Sequence, residues 1–394
     1  MPTDFFQFDS LNLAMIAVFA AIGVVTLLAA PRRDLEGPAM AGLVVIVLGT
    51  LLAYSAGNLY VFLAGWTMTY IPFLAGWFPR DRASIAMSLI GIAALGLGVA
   101  LADWNPTASF VLFMAAVVCR KGLFPSHFLV TSAFENGSIV PMSLLLNGHL
   151  GAFLVARFAI PLFPSLSRDA LGLISMLALL TSVYTALLAI GSQRPRRTLA
   201  LLCVSQAAFV LAGLESRNQE GIAGALLLAL VTSVASMGLV LVYRAMEVRY
   251  ASVASPQDYL GLAGRAPRFA TFFAIFGLAL VGLPGTLGFA AEDLLFHGAL
   301  ESHPLLGIAL PIATAMNAIT FIRLFSRLFL GRQPSLIPYF PDARPGERFA
   351  MATLIAALVV TGIFPRAIVS LRAAAASDIV TALGGPDQQQ AHRN

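Results

Sequence analysis

Charge is what this chain has least of. Asp, Glu, Lys and Arg make up 11% of 394 residues, against 59% hydrophobic residues and a mean hydropathy of +0.86. Soluble domains carry about 25% charged residues. The composition therefore excludes an ordinary soluble globule and indicates a polytopic membrane protein. Lysine is nearly absent: Lys121 is the only one, and the other cationic side chains are Arg. Cysteine is scarce as well. Cys119 and Cys203 lie in or beside apolar segments without metal-ligand spacing, which leaves no disulfide framework and no Cys/His metal cluster. There is no phosphate-binding glycine loop at a strand–helix junction, no Ser/His/Asp set, and nothing that suggests bound flavin, haem or iron–sulfur. No cofactor is expected, and any associated redox chemistry belongs to partners. The formal charge of +5 comes mostly from Arg in short loops, a topology signal rather than a nucleic-acid one. The N-terminus opens with Asp4 and Asp9 and lacks a basic region, so its first helix reads as a retained anchor.

What the chain does have is apolar runs long enough to span a bilayer, which takes about 20 residues each. They do not alternate polar and apolar positions, so an all-α fold is expected and a barrel is not. Twelve crossings are read at about 12–30, 38–55, 58–78, 84–102, 106–134, 138–163, 170–191, 198–214, 221–243, 269–300, 304–330 and 349–366. The fifth is interrupted at Pro125 and the tenth at Gly282–Phe289. Basic loops at Arg32/Arg33, Arg80/Arg82, Arg194/Arg196/Arg197, Arg244–Arg268 and Arg332–Arg348 should be cytoplasmic. The intervening connections carry Asp103, Ser165 to Asp169, Glu215 to Glu220 and Glu301 to His303. This alternation holds if each broken segment crosses once, and the two broken helices then run in opposite directions, as an inverted repeat requires. The expected organisation is one transmembrane domain over 1–372, with repeats at about 38–191 and 198–330, followed by a polar tail over 373–394.

Four constellations could carry chemistry. The first is Arg120 and Lys121 with His127 and Glu135, around the fifth-crossing break. It reads either as a protonatable relay or as snorkelling basic residues balanced by Glu135. Arg does not release a proton at useful pH, so Lys121 or His149 would do the exchanging. His149 is the second, a group suited to proton transfer or to hydrogen-bonded packing. The third is GLPGTLGFAAEDLLF, where Gly282, Pro284, Gly285 and Gly288 break the helix ahead of Glu292 and Asp293. Its plainer reading is an interfacial acidic pair. The fourth is Arg323, with Asn317 two turns earlier and Glu292 as its expected acidic partner. RPRRTLALLCVSQ reads as a basic loop feeding a helix, with Gln206 able to hold water.

At these residues the chain resembles the antiporter-like membrane subunits of respiratory complex I, most of all the M-type subunit. The same family includes cation/proton antiporter, membrane hydrogenase and inorganic-carbon uptake subunits. The likeness rests on NLYVFLAGWTMTYIP, RKGLFPSHFLVTSAFE, HLGAFLVARF, RRTLALLCVSQAAFVL and GLPGTLGFAAEDLL closed by FIRLFSRLFLG. It covers nearly the whole chain from residue 58, shortened at the N-terminus relative to the family. The resemblance implies proton movement along buried charged residues and water. It puts Thr67 where the family has an acid, Arg120 where it has Lys, His149 at the next station, Thr232 and Ser233 where it has His, and Glu292 at the second acid. The implied function is a proton-translocating subunit of an NADH-quinone oxidoreductase type complex in a bacterial inner membrane, at most a translocase without its own redox centre. Other membrane subunits, a soluble or peripheral partner, protons and lipid are the expected partners. An energy-coupled bicarbonate or carbon dioxide uptake subunit and a non-conducting structural subunit remain alternatives.

Overall fold

The computed structural model describes residues 4–250, 260–302, 304–331 and 341–384. The described residues form helices without a named strand; Phe6 and Ala56 make an isolated bridge. The first half contains α1 (Leu13–Ala29), α2 (Pro38–Ser55), α3 (Leu59–Leu74), α4 (Arg82–Leu101), the two pieces α5a (Pro106–Lys121) and α5b (His127–Asn136), and α6 (Ile139–Leu162). Then come α7 (Pro164–Gly191), α8 (Pro195–Gly213), α9 (Gln219–Tyr250), the pieces α10a (Pro267–Leu280) and α10b (Leu287–Ser302), α11 (Pro304–Phe329), α12 (Pro345–Ile363) and α13 (Arg366–Gly384). Many starts follow from local chemistry. Pro38, Pro106, Pro164, Pro195, Pro267 and Pro345 each open a helix, where a missing N–H costs nothing. The side chains of Asn58, Asp81 and Asn105 accept from free first-turn amides of α3, α4 and α5a.

Polar contacts between connections sort the helix ends into two sets. At the basic end, Arg244 pairs with Asp34 at 2.7 Å, Arg196 with Glu247 at 2.6 Å, Arg249 with Glu347 at 2.7 Å and Arg194 with Glu135 at 3.4 Å. At the opposite end, Gln7 bonds Ser55, Arg157 pairs with Asp9, Arg217 donates to the Arg168 carbonyl and Asn218 to the Gly298 carbonyl. α5 and α10 each run from one set to the other, so both broken helices cross once. They do so in opposite directions.

Burial separates centre from rim. The α6 and α9 spans are 100% enclosed and that of α8 is 89% enclosed, whereas α2, α4, α7, α11 and α12 are covered over less than half their length. A span buried on all sides has no lipid face to satisfy, so its polar residues can face one another.

Two features depart from the sequence reading. α6 is also interrupted: its regular helix stops at Asn147, His149 takes a left-handed backbone (φ 43°), and Val155–Ala159 forms a π turn. The tail expected from Ala373 is helical as far as Gly384. Arg372, Ala375, Ala376, Ile379 and Leu383 form its buried stripe, a helical spacing that packs α13 on α9. Arg372 donates to the carbonyls of Ser10 and Leu11, and Gln219 to that of Ala373, which fixes α13 at the end opposite the basic loops. The sequence-read segments at 251–259, 303, 332–340 and 385–394 lie outside the described residues.

Candidate functional site

The site begins where α5a stops. Gly122 closes that half-helix in a left-handed conformation (φ 67°), with its amide bonded to Cys119 O and the Leu123 amide to Val118 O. Arg120 and Lys121 therefore stand on the last turn, at the negative end of the helix dipole, which favours cations. Lys121 is wholly buried. Its Nζ donates to Leu146 O at 3.2 Å and to His149 Nδ1 at 2.6 Å.

The interruption of α6 supplies the other half of this contact. Breaking the helix at Gly148–His149 frees backbone carbonyls, and three are taken by side chains from three other helices. Leu146 O accepts from Lys121 of α5a, Asn147 O from Ser233 Oγ of α9 at 2.6 Å, and Gly148 O from the Tyr54 hydroxyl of α2. A left-handed non-glycine residue costs on the order of 1–3 kcal/mol and persists only where its surroundings hold it. Here the held residue is the imidazole itself. His149 Nε2 lies 2.7 Å from Thr232 Oγ1, whose own hydrogen goes to Leu228 O at 2.8 Å. Thr232 must then accept, so the network assigns the proton to Nε2 and leaves Nδ1 to accept from Lys121. Lys121, His149 and Thr232 form one hydrogen-bonded row with a single direction.

The second half of the site lies at the α10 break. Glu292 is on the second turn of α10b, and its Oε1 accepts from Thr314 Oγ1 of α11 at 3.4 Å. Its carboxyl rests on the backbone of Gly282, where an added Cβ would collide with Oε2. Gly282 is also left-handed (φ 73°), so backbone and space both demand glycine there. Asp293 points out to the flank beside His297 and is 52% exposed. The two adjacent acids thus divide into one facing inward and one facing outward.

Between these halves run buried polar residues of α6, α7, α8, α9 and α11. Asn317 Nδ2 donates to Ser205 Oγ at 2.8 Å, and Ser205 and Ser182 hydroxyls lie 3.1 Å apart. Asn147 Oδ1, Asn317 Oδ1 and Thr320 Oγ1 are buried without a protein partner. Gln206 lies beside the Glu292 carboxyl. Buried polar atoms are nearly always satisfied, by ordered water where protein does not reach. The row from His149 to Glu292 is thus lined for internal water.

Residues 34–317 match the family described as NADH:quinone oxidoreductase/Mrp antiporter, transmembrane. The chain belongs to that family. Among curated relatives, the NADH-ubiquinone oxidoreductase chain 4 of Prototheca wickerhamii is 29% identical over 273 residues, 67% of this chain and 52% of that protein. NADH-quinone oxidoreductase subunit M of Rhodobacter capsulatus is 26% identical, again across 67% and 52%. The chain therefore spans about half the length of the curated relatives it first matches, although subunit 13 of Thermus thermophilus is 29% identical over 88% of this chain and 80% of that one. In fold, a chain of respiratory complex I from Thermus thermophilus superposes with a TM-score of 0.87 at 24% identity, covering 96% of this chain and 86% of that one. A chain of the Mrp complex from Dietzia sp. DQ12-45-1b gives 0.80 at 17% identity, covering 96% and 86%.

Arg120 stands apart from the row of Lys121, His149 and Thr232. It is wholly buried, its guanidinium carbon lies 4.3 Å from the Trp66 ring centre and 4.9 Å from that of Tyr70, and Nη1 donates to Thr69 Oγ1 at 3.0 Å. Thr67, where the resemblance implied an acid, is not among its partners; Thr69, two residues on, makes the contact. Among the described residues Arg120 meets Thr69, Tyr70, Tyr54, Cys119 and Lys121, none of them a carboxylate. Burying a charge costs several kcal/mol, and desolvated cation–π contacts return about 2 kcal/mol. The aromatic pair offsets part of that cost.

The remaining sequence candidates lie elsewhere. Glu135 sits at the basic end, with its side chain toward Arg194 and its carbonyl toward Arg196. His127 is half-buried, stacked on Phe124 and edge-on to Tyr184. Neither meets Lys121. The expected Glu292–Arg323 pair is not made: Arg323 is exposed and donates to Ile190 O of α7. The cause is helical phase, since Thr314 and Arg323 are nine residues apart and at 3.6 residues per turn fall on opposite faces of α11. Sequence reasoning missed Tyr54, Trp66, Thr69 and Tyr70. Trp66, Thr69 and Tyr70 lie within NLYVFLAGWTMTYIP, whereas nothing local marked Tyr54.

Proposed function

We propose that the chain is a proton-translocating, antiporter-like membrane subunit of an NADH-quinone oxidoreductase type complex. Its route runs from Lys121 and His149 through Thr232, Ser233 and internal water past Gln206 to Glu292. The observation that carries this reading is the buried Lys121–His149–Thr232 row at the α6 break. Two protonatable groups 2.6 Å apart must share one hydrogen across their contact, and that is the arrangement from which a proton can be handed on. A cavity of about 560 Å³ lined by Arg33, Asp34, Arg196, Arg244 and Glu247 opens at the basic end and gives water an approach toward α6. We take the basic end as cytoplasmic and the membrane as the bacterial inner membrane. Neighbouring membrane subunits and a peripheral energy-supplying partner complete the assembly.

A second reading has its own support. Thr232 cannot take a proton and Arg120 cannot release one, so a chain that only docks a partner would tolerate both. The two readings separate in sealed vesicles carrying the intact complex, with Lys121, His149 and Glu292 replaced together by Met, Gln and Gln. A conducting subunit loses its share of proton flux, whereas a scaffold retains native flux.

A further inference from the structure

Arg157 is the only polar side chain from Leu150 to Leu162, the half of α6 that follows the break. It stands on the π turn Val155–Ala159. The half before the break is held through its carbonyls, by Lys121 at Leu146 and by Ser233 at Asn147. Along the half after it, Arg157 is the one side chain able to hydrogen-bond to another part of the chain. Its Nη1 donates to Asp9 Oδ2, and the turn that carries Asp9 leads back to the break by a second route. Asp9 Oδ1 accepts from the Asn12 amide at 3.3 Å, and Asn12 Oδ1 accepts from the Asp9 amide at 2.9 Å. Asn12 Nδ2 donates to Tyr54 O at 2.8 Å, and the Tyr54 hydroxyl donates to Gly148 O, next to His149. Gly148, His149, Arg157, Asp9, Asn12 and Tyr54 thus close a ring around the hinge of α6. Asn12 and Tyr54 are buried, and Arg372 of α13 clamps the turn from outside through the Ser10 and Leu11 carbonyls. A left-handed non-glycine residue persists only where its surroundings over-determine it, and the ring spans the one in α6.

We propose that Asp9, Asn12 and Arg157 are positioning residues for His149. Their ring fixes the angle between the two halves of α6 and so keeps Nδ1 in line with Lys121 Nζ. A cavity of about 110 Å³ lined by Asp9, Arg157, Pro161, Asp378 and Ile379 lies beside the ion pair, so the second half has room to swing once that pair is cut. The consequence for proton transfer rests on the relay reading above; the placement of the imidazole does not.

The tautomer of His149 reports that placement. In the native chain Nε2 carries the proton and Nδ1 accepts, a single form held by Thr232 and Lys121. The full-length chain with 15N-labelled histidine is measured in lipid by solid-state NMR, and His149→Gln identifies the His149 signals among the five histidines. Asp9→Asn keeps an oxygen to cap α1 but removes the charge that holds Arg157, and Arg157→Met removes the donor. Both should lose the single tautomer and show Nδ1–H beside Nε2–H. Arg157→Lys leaves a cation for Asp9 and should retain the native form. Lower stability alone does not mix tautomers in the folded chain. A single Nε2–H tautomer in both Asp9→Asn and Arg157→Met overturns the proposal. Should Arg157→Met fail to fold, Asp9→Asn decides alone. Mixed tautomers with native proton flux in vesicles would support the positioning role and count against the relay.

Discussion

The α5 and α10 breaks use the same device in opposite orientation and load it differently. At α5 the charges lie before the break, on the last turn of α5a, where the dipole end is negative and cations are favoured. At α10 the charge lies after the break, on the second turn of α10b, past the turn where the dipole acts, and Glu292 is placed by the Gly282 backbone and Thr314 instead. The first site is sealed and fully bonded: Lys121, His149 and Thr232 are all enclosed, with each imidazole nitrogen assigned. The second is looser, with Glu292 held by a 3.4 Å bond and flanked by exposed Leu283 and Phe289. Inverting a backbone therefore does not invert its chemistry. The first break holds cations at a helix end, and the second holds an acid against a glycine backbone.

The largest effect should come from Lys121→Met. It leaves His149 Nδ1 without a donor and Leu146 O unpaired, and each buried orphan costs about 1–3 kcal/mol. Proton flux in vesicles should fall at least tenfold, with a lowered unfolding midpoint. If Lys121→Met were as stable as the native chain, the sealed first site would not be the rigid one.

Gly282→Ala comes next. Left-handed strain of about 1–3 kcal/mol combines with the collision against Glu292, so both stability and flux should drop. An Ala variant of native stability would mean that the second break is looser than the geometry indicates. Thr232→Val should follow at about 1 kcal/mol or more, because His149 Nε2–H loses its acceptor. Thr232→Ser keeps the hydroxyl and should restore both stability and flux. The smallest effect is expected from Arg323→Gln, within about 0.5 kcal/mol for an exposed side chain and with unchanged flux. A large loss of flux there would restore the Glu292–Arg323 pairing and dissolve the contrast between the two halves.

Much of this was legible because charge is so rare here. A lone Lys, a His in an apolar run and an acid after a Gly/Pro break stand out by cost alone; the structure puts Lys121 against His149 and Glu292 against Thr314. Twelve of the thirteen apolar helices of the described residues, and the two breaks at Pro125 and Gly282, were legible from run length and helix breakers. The α6 break was not, because Gly148–His149 carries no proline and its kink is held by Tyr54, Lys121 and Ser233 from distant helices. Position along the chain gave the depth of Arg323 but not its face, and the pairing with Glu292 failed on helical phase. The polar end GGPDQQQAHRN coloured the reading of everything after Ala373, whereas the Ala-rich stretch before it is apolar and its periodicity from Arg372 to Leu383 carried the helix. Arg120 was recognised as a fixed charge, but its aromatic enclosure depends on α3 packing that no local pattern specifies.

The most direct test of a single path through both breaks is proton flux in sealed vesicles. The intact complex is measured with Glu292→Gln and, separately, with His149→Gln. Each replacement keeps side-chain polarity and removes the exchangeable charge. Both should reduce this subunit's share of flux to the leak level. Native flux in Glu292→Gln would contradict it.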